Sequence, residues 1–146
     1  MLCFAAVVLF AASSAYAEDT VVKPGAEPTM YGIDVSKYQG NIGWETVFDN
    51  VDFAILRCGY GQDEPDQDDI KWKRNADACT KLGIPFGAYL YSYADTVEKA
   101  ASEAEHVKRL VKGYKLSFPI YYDIEDELHK ELEPEELGAK IGRAHV

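Results

Sequence analysis

The chain has 146 residues, with 25 acidic and 15 basic side chains, so its formal net charge at pH 7 is −10. This charge repels nucleic-acid phosphates, and no patch of interleaved basic and aromatic residues opposes it, so nucleic-acid binding is excluded as a function. A hydrophobic fraction of 47% suits one globular domain, and solubility is the simplest reason for the acidic excess.

Residues 1–17 have the features of a secretory leader. The stretch "MLCFAAVVLFAASSAYA" has no charged side chain and ends in the small-residue pattern Ala15-Tyr16-Ala17. Its apolar run of about twelve residues is shorter than the roughly 20 that cross a bilayer. We therefore predict a signal peptide cleaved after Ala17, a secreted or cell-wall location, and no membrane span in the mature form. Residues 18–30, which include two prolines, are predicted to be a polar linker.

Strand-like and helix-like stretches alternate from residue 31 onward. Strands are predicted at residues 31–36, 52–60, 84–93 and 118–125. Helices are predicted at residues 43–51, 68–83 and 95–113, and a further one is predicted to begin at Pro134. Strands that are joined by helices run in the same direction, so this βαβαβαβ order predicts an α/β fold with a parallel sheet. Doubly wound sheets and (βα) barrels both begin this way, and four strands make half of a barrel.

The two longer helices have predictable ends and buried stripes. Asp68 or Asp69 is expected to cap the first helix and Gly83 to end it. Its buried stripe is predicted to consist of Trp72, Ala76 and Cys79. The second helix is expected to begin with Asp95 and Glu98 as a capping-box-like pair. Its buried stripe is predicted to consist of Val97, Ala101, Ala104, Val107 and Val111.

Two cysteines, Cys58 and Cys79, remain after removal of the leader. A secreted protein can hold them as a disulfide, which would stabilise the fold by about 3 kcal/mol in the chain-entropy model. Two buried free thiols fit the sequence equally well, because spacing alone does not give the Cβ geometry that a bridge requires.

Three carboxylates fall near the ends of two predicted strands. In "YGIDVS", Asp34 alternates with apolar residues, and in "FPIYYDIE", Asp123 and Glu125 share a face with Tyr121. The carboxyl ends of barrel strands surround one mouth, so these acids are expected to converge there. Their repulsion would raise the pKa of at least one of them and keep a proton on it near neutral pH. Such a pair suits glycosidic-bond hydrolysis, in which one carboxyl protonates the leaving oxygen.

Two other interpretations stay open from the residues alone. The acids are equally able to form a solvated cluster, since the acidic stretch "EDELHKELEPEE" follows. They also suit a divalent cation, which prefers oxygen ligands. His106 and His129 are isolated in the sequence, so we predict that they are solvated and not ligands, and we predict no metal or cofactor.

Four longer motifs follow one another along the chain: "YGIDVSKYQGNIGWETV", "FAILRCGYG", "LGIPFGAYLYSYADTVEKAASEAEHV" and "FPIYYDIED". In order and spacing they resemble the family 25 glycoside hydrolases, which are lysozyme-like muramidases of bacteria and their phages. The resemblance covers residues 31 to about 126, the first half of the family's domain. It implies an irregular (βα) TIM-like barrel, truncated here after about the fourth strand, and no cofactor. It also implies cleavage of the β-1,4 bond between N-acetylmuramic acid and N-acetylglucosamine in peptidoglycan glycan strands.

The chain after the linker is assigned to two parts, the first from the resemblance and the second from its own sequence. Residues 31–140 are assigned to the N-terminal part of the muramidase catalytic domain. Residues 141–146, "IGRAHV", equal the translation of a common sequencing-adapter read, so we predict a non-native tail there. A non-catalytic, carbohydrate-binding remnant is the alternative to an enzyme.

The resemblance also implies roles for the three acids. Glu125 matches the family's general acid. Asp123 matches the neighbouring acid that orients the substrate's acetamido group or stabilises developing charge, and Asp34 matches a supporting acid on the first strand. A further acid is implied on a later strand, outside the part of the domain that this chain matches.

Aromatic and basic side chains near the strand ends are candidates for substrate binding. Tyr89, Tyr91 and Tyr121 lie on strand faces that would line a groove, and sugar rings stack on aromatic faces. Core packing is an equal alternative for Tyr89. Arg57, near the end of the second strand, is expected to pair with a site carboxylate or to form an ion pair that only lines the barrel.

Overall fold

The computed structural model describes residues 30–129 and residue 135. Four parallel strands form one sheet in chain order. They are β1 (Gly32–Val35), β2 (Phe53–Tyr60), β3 (Phe86–Tyr91) and β4 (Ile120–Asp123). This arrangement confirms the predicted α/β fold, because strands that follow one another in the chain are also neighbours in the sheet, as in the wall of a TIM-like barrel.

Helices connect the strands. They are α1 (Trp44–Val47), α2 (Trp72–Leu82) and α3 (Val97–Val111). Within the described residues, 3₁₀ helices lie at Lys37–Gln39, Phe48–Asn50, Pro65–Gln67 and Glu127–His129. Most elements are shorter than predicted at one or both ends. The predicted leader and the tail lie outside the described residues, as do the linker apart from Met30 and the helix beginning at Pro134 apart from residue 135. No helix in the described part of the chain is long and apolar enough to cross a membrane.

The predicted N-terminal caps of both long helices are wrong. Thr96 caps α3, because its hydroxyl accepts a hydrogen bond from the Lys99 backbone nitrogen at 3.2 Å. Asp95 instead forms an ion pair with the Lys99 side chain at 2.7 Å. The N-cap position of α2 is Lys71, whose side chain makes no capping bond, and the carboxylate of Asp69 is used elsewhere. Gly83 ends α2 as predicted, with a left-handed φ of 73°.

The helices cover one face of the sheet and form the core there. The buried apolar residues include Leu56, Ala88 and Leu90 from the strands and Trp72, Ala76, Cys79 and Val107 from the helices. This confirms the predicted stripe of α2. In α3 the predicted Ala101 is exposed, and Ala100, Glu103 and His106 are fully buried instead. The stripe is displaced because the two polar side chains have hydrogen-bond partners in the interior.

The disulfide is not formed: Cys58 and Cys79 are both buried free thiols. The Cys58 thiol donates a hydrogen bond to the Tyr89 carbonyl oxygen, with a sulfur–oxygen distance of 3.2 Å. Burial raises the pKa of both thiols to about 12. Both side chains therefore behave as small apolar core residues.

The opposite face of the sheet, which we call the open face, is covered by aromatic rings near the amino-terminal ends of the strands. Phe53 and Phe118 pack with ring centroids 4.8 Å apart. Gly32 and Gly87 leave the space that this packing needs, because a Cβ at Gly32 would collide with the Phe53 ring and a Cβ at Gly87 would lie too close to the Phe118 Cβ. The register between β2 and β3 shifts once, between Arg57 and Gly59, where β2 has one extra residue.

Candidate functional site

Asp34 and Asp123 both lie on the open face, one at each edge strand of the described sheet. Asp34 pairs with Ile55 in the register of β1 and β2, two residues before Arg57. Arg57, Tyr89 and Tyr121 then form one row across β2, β3 and β4. Asp123 is two residues after Tyr121, so the alternation of strand side chains places it on the same face.

The carboxylate of Asp34 lies beside Tyr89 and Arg57. Asp34 is exposed as a residue, but nearby protein atoms partly shield its carboxylate from water, and this partial burial raises the pKa of Asp34. A hydrogen bond from the Tyr89 hydroxyl and the charge of Arg57 oppose that rise, and the charge of Glu125 adds to it. Burial also raises the pKa of Tyr89, so its hydroxyl keeps the proton that it donates.

Asp123 and Glu125 lie at the end of β4, where the chain leaves the sheet. Burial is the largest cause that raises the pKa of Asp123, and the negative charges of Glu125 and Asp34 raise it further. The Glu125 backbone nitrogen donates to the Asp123 carboxylate, which opposes the rise. Glu125 itself is exposed. The three acids are therefore within electrostatic range of one another, and burial contributes more than the repulsion expected from the sequence.

The three tyrosines predicted to bind substrate have different surroundings. Tyr89 is half-buried between Asp34 and Arg57. The Tyr91 hydroxyl donates to the Asp126 carboxylate at 3.2 Å, and burial together with this charge raises the pKa of Tyr91 to about 12. Tyr121 is half-buried on β4 next to Tyr89. All three side chains lie on the open face.

Arg57 forms a buried ion pair with an acid that the sequence did not single out as a partner. Its Nε donates to Asp69 Oδ2 at 2.8 Å, and the two side chains are 7% and 0% exposed. The same carboxylate accepts hydrogen bonds from the backbone nitrogens of Lys37 and Lys71, each at 2.8 Å. Asp69 therefore joins the end of β1, the end of β2 and the start of α2. The Nη2 atom of Arg57 is buried and has no hydrogen-bond partner among the described residues.

A cleft of about 310 Å³ opens above Arg57 at the carboxyl ends of β1, β2 and β3. It is lined by Lys37, Tyr38, Arg57, Tyr60, Tyr91 and Tyr93. We call it the tyrosine cleft. Of these residues, the sequence predicted Arg57 and Tyr91. The other four lie at or just after the carboxyl end of a strand. That position, where barrel proteins place their functional residues, could have identified them from the sequence.

The prediction that His106 and His129 are solvated is wrong, because both side chains are buried. The Nδ1 atom of His106 lies 3.0 Å from the Gly61 carbonyl oxygen, and its Nε2 atom lies 2.9 Å from Asp68 Oδ1. Asp68 also accepts from the Arg109 guanidinium at 2.7 Å. Its partial burial favours a higher pKa, but the hydrogen bonds from Arg109 and His106 outweigh this effect and lower it.

A second buried polar network fixes the loop that follows β4. The Ser92 hydroxyl lies 2.8 Å from both Glu103 Oε2 and the Tyr122 hydroxyl, and Tyr122 also donates to Glu103. His129 Nε2 lies 3.1 Å from the Ala94 carbonyl oxygen. The network holds the segment after Glu125 against the loop between β3 and α3, so it positions the acids without touching the open face.

The described residues offer no metal centre. Among residues 30–129 and residue 135, no three His, Cys, Asp or Glu side chains are placed so that they could hold one ion. The carboxylates of the open face are instead hydrogen-bonded to tyrosine and backbone donors.

Comparison with known proteins identifies relatives of this chain. The sequence model of "Glycosyl hydrolases family 25" matches residues 33–142. No curated protein sequence matches the chain.

Solved structures share the fold. The modular autolysin LytC from Streptococcus pneumoniae is 31% identical over 77% of this chain and 28% of its own, with a TM-score of 0.67. A family 25 glycosyl hydrolase from Bacillus anthracis is 27% identical over 77% of this chain and 52% of its own, with a TM-score of 0.63. A bacterial lysozyme from Streptomyces coelicolor, 22% identical over 78% of this chain and 54% of its own, shares the fold with a TM-score of 0.66. The chain thus spans between about a quarter and a little over half of these structures.

Proposed function

The chain belongs to glycosyl hydrolase family 25, and on this premise we propose that it is part of a secreted enzyme that hydrolyses peptidoglycan. The proposed reaction is cleavage of the β-1,4 bond between N-acetylmuramic acid and N-acetylglucosamine. One solved structure of LytC contains a synthetic peptidoglycan ligand, which supports this substrate class for its relatives. The fold, the family and the acids of the open face all agree with a glycan substrate.

The observation that carries the proposal is the grouping of carboxylates at one end of the sheet beside a row of tyrosines. Glu125 is proposed as the general acid that protonates the glycosidic oxygen. It is exposed at the end of β4, where a glycan in the mouth would reach it. Asp123 and Asp34 are within electrostatic range of it, and burial is the largest cause that raises the pKa of each. They are proposed to orient the substrate and to stabilise the positive charge that develops on the sugar.

Tyr89, Tyr91 and Tyr121 are proposed to bind the sugar rings. Each lies on the open face, and the hydroxyl groups of Tyr89 and Tyr91 are hydrogen-bonded to acids of the site. Their rings are thereby held in fixed orientations, which suits stacking on a sugar face. Arg57 is proposed to act on the substrate through its charge, because its Nε atom is already bound to Asp69.

The test is Glu125→Gln, compared with Glu45→Gln as a control on the exposed surface of α1. The assay is the loss of turbidity of a purified cell-wall suspension. Because a general acid typically contributes 10²- to 10⁴-fold, we expect the Glu125→Gln rate to fall by at least about 100-fold. The Glu45→Gln rate should be unchanged. A Glu125→Gln protein that retains more than a tenth of the wild-type rate would refute the assignment.

Two further outcomes separate the alternatives. A wild-type protein that sediments with cell walls but releases no reducing ends would favour a carbohydrate-binding remnant. Activity that is lost in a chelator and restored by a divalent cation would favour a cation-dependent hydrolase. We expect hydrolysis that is insensitive to the chelator.

A further inference from the structure

Glu103 is a fully buried acid on the helix side of the sheet, away from the open face. It lies on α3 and is 0% exposed. No ion pair within the described part of the chain includes it, so hydrogen-bond donors alone meet its carboxyl group. The Tyr93 backbone nitrogen donates to Oε1 at 2.8 Å, and the Ser92 and Tyr122 hydroxyls donate to Oε2. An acid in the core is costly unless such donors surround it, so its presence calls for an explanation.

Tyr122 connects this acid to the strand that carries Asp123. Side chains alternate along β4, so Tyr122 packs against the core while Tyr121 and Asp123 lie on the open face. Burial raises the pKa of Tyr122, so its hydroxyl keeps its proton and donates a hydrogen bond to the Glu103 carboxyl group. The residue directly before Asp123 is thereby fixed through its side chain.

Ser92 provides a second connection, which runs through the backbone. Its hydroxyl donates to Glu103 at 2.8 Å and lies at the same distance from the Tyr122 hydroxyl. Its backbone nitrogen donates to the Asp123 carbonyl oxygen, also at 2.8 Å. Asp123 is therefore held from two sides, because Tyr122 precedes it in the chain and Ser92 binds its carbonyl group.

The position of Asp123 in turn affects the proposed general acid. The Glu125 backbone nitrogen donates to the Asp123 carboxylate, and the Glu125 residue is exposed, so little packing holds it in place. Tyr93, whose backbone nitrogen binds the other oxygen of Glu103, lines the tyrosine cleft. One carboxyl group behind the sheet thus fixes both a wall of the cleft and the strand that carries the acids.

We propose that Glu103 is a positioning residue for hydrolysis, which holds Asp123 and Glu125 in place without touching the substrate. This inference rests on the proposed function and adds to it a residue on the opposite side of the sheet. Because a misplacement of about 1 Å can lower a rate about 100-fold, a smaller shift of β4 is enough for a measurable loss. When only the contact to Tyr122 is removed, Tyr93 and the cleft stay in place, so the loss is expected in kcat and not in substrate binding.

The experiment compares four variants with the wild type in the turbidity assay, at several concentrations of purified cell wall. Tyr122→Phe removes one hydroxyl and keeps the ring. Glu103→Leu removes the carboxyl group, whereas Glu103→Gln keeps an acceptor for the Tyr93 nitrogen and a polar group for the two hydroxyls. Tyr114→Phe is the matched control, because that hydroxyl also donates to a carboxylate, Asp77 at 2.8 Å, from a ring that packs against the core on the helix side.

Tyr122→Phe should lower kcat about fivefold and leave the half-saturating wall concentration within about twofold of the wild-type value. Glu103→Leu should lower kcat at least about tenfold, because it removes both connections to Asp123. Glu103→Gln should stay within about threefold of the wild type, since its amide offers hydrogen bonds to the same partners, and Tyr114→Phe should match the wild type. Urea titration followed by tryptophan fluorescence gives the folded fraction of each variant, so that rates are compared per folded molecule.

An unchanged kcat for Tyr122→Phe would overturn this inference, and this variant decides the question even if Glu103→Leu does not fold. A loss of the same size in Tyr114→Phe would also overturn it, because it would show that removing any such hydroxyl has this effect. Either result, obtained with a wild type that clears cell walls, leaves the proposed function intact. A wild type that clears no cell walls would overturn the proposed function and this inference with it.

Discussion

Replacing Asp69 with alanine should destabilise the protein more than any surface substitution, because one buried carboxylate holds three donors. Its Oδ2 atom accepts from Arg57 Nε and the Lys37 backbone nitrogen, and its Oδ1 atom accepts from the Lys71 backbone nitrogen, each at 2.8 Å. The Asp69→Ala variant leaves a guanidinium that is 7% exposed without its counter-charge. Breaking a buried ion pair in this way costs about 3–5 kcal/mol. That is a large share of the roughly 5–15 kcal/mol that stabilises a typical domain.

Urea denaturation followed by tryptophan fluorescence measures the effect directly. Trp44 is 1% exposed and Trp72 is 4% exposed, so both report on the core. With an m-value of roughly 2 kcal/mol per molar urea, the midpoint should fall by about 2 M. The control is Asp77→Ala, which removes a 52%-exposed carboxylate paired with Lys73 and should cost less than about 1 kcal/mol. A loss for Asp69→Ala no larger than that of the control would refute the reasoning.

Three other measurements test separate parts of the structure. Burial raises the pKa of Asp34 and Asp123 above 3.8, so the folded state binds protons there that the unfolded chain has released, and stability falls as pH rises through that range. Asp34→Asn and Asp123→Asn should therefore raise the free energy of unfolding at about pH 7 but not at about pH 3, and equal effects at both pH values would contradict this. Because burial raises the pKa of Cys58 and Cys79 to about 12, iodoacetamide at about pH 8 should label them only in denaturant, as peptide mass spectrometry will show. Labelling in the native state, or a peptide that joins the two cysteines, would be the opposite result. Gly32→Ala should lower stability by about 1–3 kcal/mol in the same urea assay, because its methyl group would collide with a buried phenylalanine ring, and an unchanged midpoint would show that the ring can move away.

The sequence pattern predicted the strands and the open face because both depend on local alternation. Ile33 and Val35 are apolar and Asp34 lies between them, so the face of each residue follows from the period of two. The parallel order likewise follows from helices that separate consecutive strands. The sequence therefore predicted which face of the sheet each strand residue occupies and the parallel order of the strands.

Contacts between distant segments were not predictable in this way. Asp69 was interpreted as a possible helix cap, but its partner Arg57 lies twelve residues earlier on β2. His106 was expected in solvent because it is isolated in the sequence, but Gly61 and Asp68 approach it from another part of the chain. A polar side chain is buried only where hydrogen-bond partners surround it. When those partners are distant in the sequence, the sequence pattern does not reveal them.

The extra residue in β2 determines which side chains form the tyrosine cleft. Strict alternation from Arg57 would turn Tyr60 toward the helices, since the two residues are three positions apart. The insertion lets two successive residues turn inward: Cys58 belongs to the core, and a side chain on Gly59 would collide with the His106 ring on α3. Tyr60 consequently pairs with Tyr91 and returns to the same side as Arg57. A deletion of Gly59 would leave Arg57, Cys58 and Tyr60 in regular alternation, so this strand end would keep Tyr60 in the cleft wall without the extra residue.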